Sequence, residues 1–179
     1  MNEESEKYII LLLGVKKEPI PSLWHLQKEM FMVSRVNPKV SEYFDFEKHY
    51  NGPYSQKLQE IILEPLYFDS AYHVEPNSTV ILTANGKKIF EDIKKEYFEN
   101  KKFSDLLKTL KLIREIYDAL SKEELLFLIY RTYPEYIEAS NVYEKLVINE
   151  RKRKRLANSL LEKGIITEER YAELLEIEQ

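Results

Sequence analysis

The sequence predicts a mainly α-helical chain with one small β-hairpin, on three observations. Glycine is scarce, with four in 179 residues, while charged residues reach 32%. Apolar residues recur at three- and four-residue steps through most of the chain. One stretch departs from this: AYHV and TVILT read as two short strands around the turn EPNS, Glu75–Ser78.

The elements follow in order. Near-continuous apolar residues predict a first helix from about Glu4 to Val15. EPIPS, Glu18–Ser22, is a connector, and Ser22 is placed to cap the second helix by accepting a backbone N–H. That helix carries Leu23, Leu26, Met30 and Phe31, and Asn37-Pro38 is expected to stop it. YFDFEKHY, Tyr43–Tyr50, alternates aromatic and charged residues and suits a short extended segment. In HYNGPYS, Asn51-Gly52 makes a bend, Pro53 fits the first turn of a helix and Tyr54 is expected to turn inward. Leu58, Ile61 and Ile62 line one face of that helix, and Pro65 limits it. After the hairpin, Thr83 caps a helix lined by Ile89, Phe90, Ile93 and Tyr97.

Helix, helix, short strand, helix, hairpin, helix is the order of a winged helix-turn-helix, with the hairpin as its wing. The polar stretch Glu99–Asp105 marks an expected boundary, giving a winged-helix domain over 4–98 and a helical region over 103–179. In the second region, Leu106, Leu110, Ile113, Tyr117 and Leu120 repeat helically. Ser121 and Glu124 form a capping-box pair, and Pro134 ends their helix. The irregularly spaced tyrosines of Tyr133–Lys145 are expected in a loop that offers a partner surface. A last helical hairpin runs through Leu156, Leu160 and Leu161, closes at Gly164 and restarts at Thr167.

Composition limits the chemistry. The absence of cysteine excludes disulfides, thiolate metal sites and a cysteine nucleophile, and it fits a cytoplasmic protein. The longest apolar run, Tyr8–Val15, is far short of a membrane span and follows an acidic start, so no membrane association is expected. Abundant Lys, Glu, Ile and Tyr give a thermophile-like composition. His25, His49 and His73 lack metal-ligand spacing. No nucleophile elbow, phosphate-binding loop or dinucleotide loop occurs. The expectation is therefore no catalytic residues, no metal and no cofactor.

Three blocks carry a resemblance. HLQKEMFMV (His25–Val33), FDFEKHYNGPYSQKLQEII (Phe44–Ile62) and ILTANGKKIFE (Ile81–Glu91) are similar to the Panacea or SocA-like antitoxin domain and its YwgA-like prokaryotic relatives. Those share an LQK helix, a GPYS turn and an LT-x-x-G step. The resemblance covers roughly Ile9 to Tyr97 and implies a non-enzymatic winged-helix binding module, in transcription regulation, toxin neutralisation or phage-linked functions. The tail LANSLLEKGIITEERYAELLE resembles the short interaction hairpins described as SHOCT.

The favoured expectation is a non-enzymatic DNA-binding transcription regulator of winged-helix type, in which the helix after Pro53 would be the recognition helix. Its outward residues are expected to be Ser55, Gln56, Lys57, Gln59 and Glu60, with glutamine suited to adenine in the major groove. Phosphate contacts would come from Lys57, Lys87, Lys88 and the run Arg151, Lys152, Arg153, Lys154 and Arg155. A homodimer would supply affinity on double-stranded DNA that one weakly basic module lacks. Against this stand a net charge of −4 and a wing tip, Asn77-Ser78, without a cation. The alternative is a protein-interaction module, an antitoxin or assembly adaptor, bound to a protein partner through the same fold without DNA.

Overall fold

A computed structural model describes residues 2–176. They form a mainly helical structure with one two-stranded antiparallel sheet. Two compact units are present. The first runs to Phe46 and resumes over Ser55–Ala119; the second is made of Glu47–Tyr54 and the chain from Leu120 onward.

In the first unit, α1 (Glu3–Gly14) is the central helix. Ile9 to Leu13 are all buried, so this helix is apolar around most of its circumference. Ser22 caps α2 (Leu23–Val36) by accepting the N–H of His25. Asn37-Pro38 does stop α2, but it also starts α3 (Pro38–Phe44): the Asn37 side chain accepts from Lys39, and proline occupies the first turn. The sequence order lacked this helix and placed an extended segment over its end. Observed extension there is confined to one bridge, Glu47 to Tyr54, in the second unit.

Pro53 does not open the next helix. Gly52 takes the left-handed turn at φ 79°, and α4 (Gln56–Leu63) begins three residues beyond Pro53, with Ser55 as its cap. The hairpin is as expected: β1 (Tyr72–Val74) pairs β2 (Val80–Leu82), with Tyr72 opposite Leu82. Ile20 bridges Val80 through two 3.0 Å backbone bonds, joining the connector after α1 to the hairpin. Thr83 caps α5 (Ala84–Glu96) through the N–H of Gly86. A Cβ on Gly86 would lie 2.0 Å from the Ala71 carbonyl oxygen, so this step needs a glycine for close approach.

α6 (Lys101–Tyr117) lies in the first unit. Leu110 and Ile113 enter its core. Arg114, wholly buried, donates to the carbonyls of Leu12 (2.9 Å) and Glu18 (2.7 Å) and to the Asp118 carboxylate (2.9 and 3.1 Å). The apolar face of α6 was legible in sequence; the core it joins was not.

In the second unit, α7 (Lys122–Thr132) starts with the expected capping box, and α8 (Glu150–Glu162) packs against α7 and α9 (Glu168–Leu175). Gly164 takes the C′ position after α8, where its N–H and that of Ile165 reach back to Leu161 and Leu160. The Tyr133–Lys145 stretch is not an open loop: Pro134–Tyr136 is a 3₁₀ turn with Tyr136 buried, and Tyr143 stacks edge-on to Tyr130 at 6.0 Å before the π-helical Glu144–Ile148. No helix among the described residues is long and apolar enough to cross a membrane.

Candidate interaction surfaces

The most constrained surface feature starts from a charge in the wrong place. Glu6 lies on the α1 face shared with Ile9, Ile10 and Leu13, and none of it is exposed. A buried carboxylate needs donors. It finds three consecutive backbone N–H groups, all in the loop after α4. Oε1 accepts from Leu66 at 2.8 Å and Tyr67 at 3.1 Å; Oε2 accepts from Tyr67 at 3.2 Å and Phe68 at 2.8 Å. Successive amides converging on one anion form a nest, here filled by the chain's own side chain.

The clamp fixes the loop backbone, while the side chains of Leu66 and Tyr67 stay outside. Phe68 packs on the core. Leu63, Leu66 and Tyr67 are 54%, 63% and 52% exposed. Glu60, Glu64 and Asp69 flank them, also exposed. Large apolar residues held on a pre-ordered backbone lose little conformational freedom on binding, and tyrosine is a frequent energetic anchor at interfaces.

The expected recognition face is organised differently from its sequence reading. Ser55 is not outward. It is fully buried; its hydroxyl donates to the Phe44 carbonyl and accepts the N–H of Leu58 at 3.0 Å. Gln27 grips the same residue in both directions: its amide donates to the Ser55 carbonyl and its carbonyl accepts the Ser55 N–H, both at 2.9 Å. The sequence reading put Pro53 in the first turn of this helix; the helix starts later, with Ser55 as its cap, which removes Ser55 from any outer face. Gln56, Lys57 and Glu60 are exposed, and Gln59 is half-buried. Gln56 donates to Glu60 at 3.0 Å, and Lys57 is ion-paired with Asp45. Tyr54 is half-buried and stacks on His49 at 4.9 Å.

Lys87 and Lys88 are exposed on α5. Lys87 shares a concavity of about 240 Å³ with Lys16, Lys17 and the Phe90 ring. The run Arg151–Arg155 does not form one cationic face. Arg153 is buried and donates to the carbonyls of Val147 (2.7 Å), Ile148 (3.1 Å) and Leu175 (3.1 Å), tying α8 to its neighbours. Lys152 and Arg155 both engage Glu123, and Lys154 engages Glu150. Arg151 is exposed. A stretch of five cations must visit every side of a helix, and here one side faces the interior.

No protein-family model and no curated protein matches the chain.

His25 bonds Ser22 at 2.8 Å and His73 pairs with Glu75 at 2.8 Å. No cluster of three or more His, Cys, Asp or Glu among the described residues is placed to hold a metal ion. Sequence reasoning missed Glu6, Leu66 and Tyr67. Two signals were available: an acid in the first turn that helical spacing puts on one face with Ile9, Ile10 and Leu13, and a Leu-Tyr pair outside any periodicity just after Pro65.

Proposed function

We propose that this chain is a non-enzymatic protein-interaction module of winged-helix type, akin to an antitoxin or assembly adaptor, that docks through Leu63 at the end of α4 and through Leu66 and Tyr67 in the loop after it. The observation that carries this reading is the Glu6 clamp, which orders a loop whose Leu66 and Tyr67 side chains lie largely in solvent. Isolated exposed apolar residues are ordinary; three within five positions, two of them on a clamped backbone, favour a partner. Its acidic flank of Glu60, Glu64 and Asp69 suits an apolar pocket rimmed by Lys or Arg. The winged-helix part of the reading draws support from the antiparallel hairpin after α4 and from the Ile20 bridge. Binding of an isolated partner to wild type and to Leu66→Glu/Tyr67→Glu tests it: the variant is expected to lose the complex while keeping its thermal midpoint.

A second reading, a DNA-binding regulator, is favoured by one observation: Lys87 lies with Lys17 and the Asp118-paired Lys16 around one concavity, which Glu18 and Glu91 also line. Phosphate contact there predicts duplex binding that falls steeply with salt and that Lys16→Gln/Lys17→Gln/Lys87→Gln removes. The pairing of Lys57 with Asp45, and the burial of Ser55 and Arg153, take expected contacts away from this reading.

A further inference from the structure

A concavity of about 600 Å³ opens in the first unit between α1, the α2–α3 junction, α5 and the first turns of α6. It shares no residue with the Leu66 loop or with the Lys87 concavity. Its size is that of a small-molecule site. Tyr8, Leu11, Ile93, Phe103 and Leu106 supply apolar walls, and Tyr97 stacks tilted on Phe103 at 5.2 Å.

Its lining carries three lysines, Lys7, Lys39 and Lys102, against one glutamate, Glu4. Glu4 is held by Lys7 at 3.0 Å, and Lys7 also engages Glu3 at 2.9 Å. The remaining charged lining residues are Lys39 and Lys102, both exposed and both positive. One comes from the start of α3 and the other from the start of α6, so two separate elements bring amines to the same opening.

We infer that this concavity binds an amphipathic organic anion, with an aromatic body against Tyr8, Phe103 and Leu106 and an acidic group between Lys39 and Lys102. Apolar walls supply contact area, and the amines select for charge. The inference goes beyond the protein-docking reading and stands without it.

Fluorescence titration with anilinonaphthalene sulfonate, and with the neutral N-phenylnaphthylamine that lacks the sulfonate, tests it directly. Wild type is expected to bind the sulfonate at one site, roughly tenfold tighter than the neutral dye, as two charge-assisted contacts would give. Lys39→Met/Lys102→Met, a surface change, is expected to bring the two dyes to parity. Leu106→Trp, which fills the concavity, is expected to weaken both, whereas Leu66→Glu/Tyr67→Glu changes neither. Absence of sulfonate binding by wild type overturns the inference. So does sulfonate affinity that the double lysine variant leaves unchanged, or dye binding that survives Leu106→Trp and is lost on changing Leu66 and Tyr67.

Discussion

Glu6 takes the backbone N–H of Tyr67 on both carboxylate oxygens, at 3.1 and 3.2 Å, while the tyrosine side chain stays half in solvent. Order of the backbone and exposure of the side chain thus depend on one buried acid 61 residues away. Removing it strands three N–H groups. Glu6→Ala is expected to cost about 3 kcal/mol in urea unfolding, near the lower bound for three orphaned donors because the loop can turn toward water. Hydrogen exchange at Leu66, Tyr67 and Phe68 should accelerate more than in the α1 core. Unchanged exchange at those three amides would contradict the clamp.

Arg114 anchors α6 to the carbonyls of Leu12 and Glu18, and its side chain reaches Glu29 at 3.5 Å. Burial, with the Asp118 carboxylate adding repulsion and Arg114 opposing both, raises Glu29 well above the ordinary 4.5. The folded chain therefore keeps this proton longer than the unfolded chain. Stability from Glu29 is fully present below about pH 4.5 and declines as pH rises through the raised value. Glu29→Gln should flatten that decline, whereas Arg114→Met should cost about 2 kcal/mol or more by taking this donor from the carbonyls of Leu12 and Glu18, while Asp118 keeps Lys16 at 2.9 Å. Denaturant midpoints across pH check both.

The second unit has the opposite acid response. Glu124 accepts from Lys163 at 2.8 Å, from Ser159 at 2.6 Å and from the Ser121 N–H at 2.6 Å. Burial pushes this carboxyl up, but those donors outweigh it and hold it at about 2. Its stabilisation is present above the ordinary 4.5 and disappears as pH falls through about 2. Glu124→Gln is expected to lower the midpoint at pH 7 and to leave the acid limb shallower, as read by near-ultraviolet circular dichroism.

At Gly86 the constraint is steric. An added Cβ would meet the Ala71 carbonyl oxygen at 2.0 Å and Leu82 at 2.5 Å. Because the nearer atom is backbone, the start of α5 must shift. Gly86→Ala should destabilise by about 1–3 kcal/mol despite its better helix propensity, measured by thermal unfolding.

What the sequence revealed follows the range of each interaction. The caps by Ser22, Thr83, Ser121 and Thr167 act over three residues, and all four form where the sequence placed them. The hairpin was legible for the same reason. Asn37-Pro38 was read as a stop because either role fits the pair; α3 forms since Asn37 also caps forward. Ser55 was assigned outward because its helix was started at Pro53, and that shift turns a cap into a surface residue. Glu6 and Arg114 have partners 60 and 102 residues away, which no local pattern reports. The run Arg151–Arg155 reads as a cationic patch only until Arg153 turns inward to the carbonyls of Val147 and Leu175.

The docking claim rests on Leu66 and Tyr67 acting as anchors. Its most direct test is calorimetric titration of the full chain with a partner isolated on the wild-type protein, compared with Leu66→Glu/Tyr67→Glu and with Lys39→Met/Lys102→Met as a surface control. At least a hundredfold loss of affinity in the first variant, an unchanged midpoint and an unaffected control are the predicted result, since two anchors of this kind are worth about 2 kcal/mol or more each. Equal affinity of the wild type and the Leu66/Tyr67 variant would contradict it.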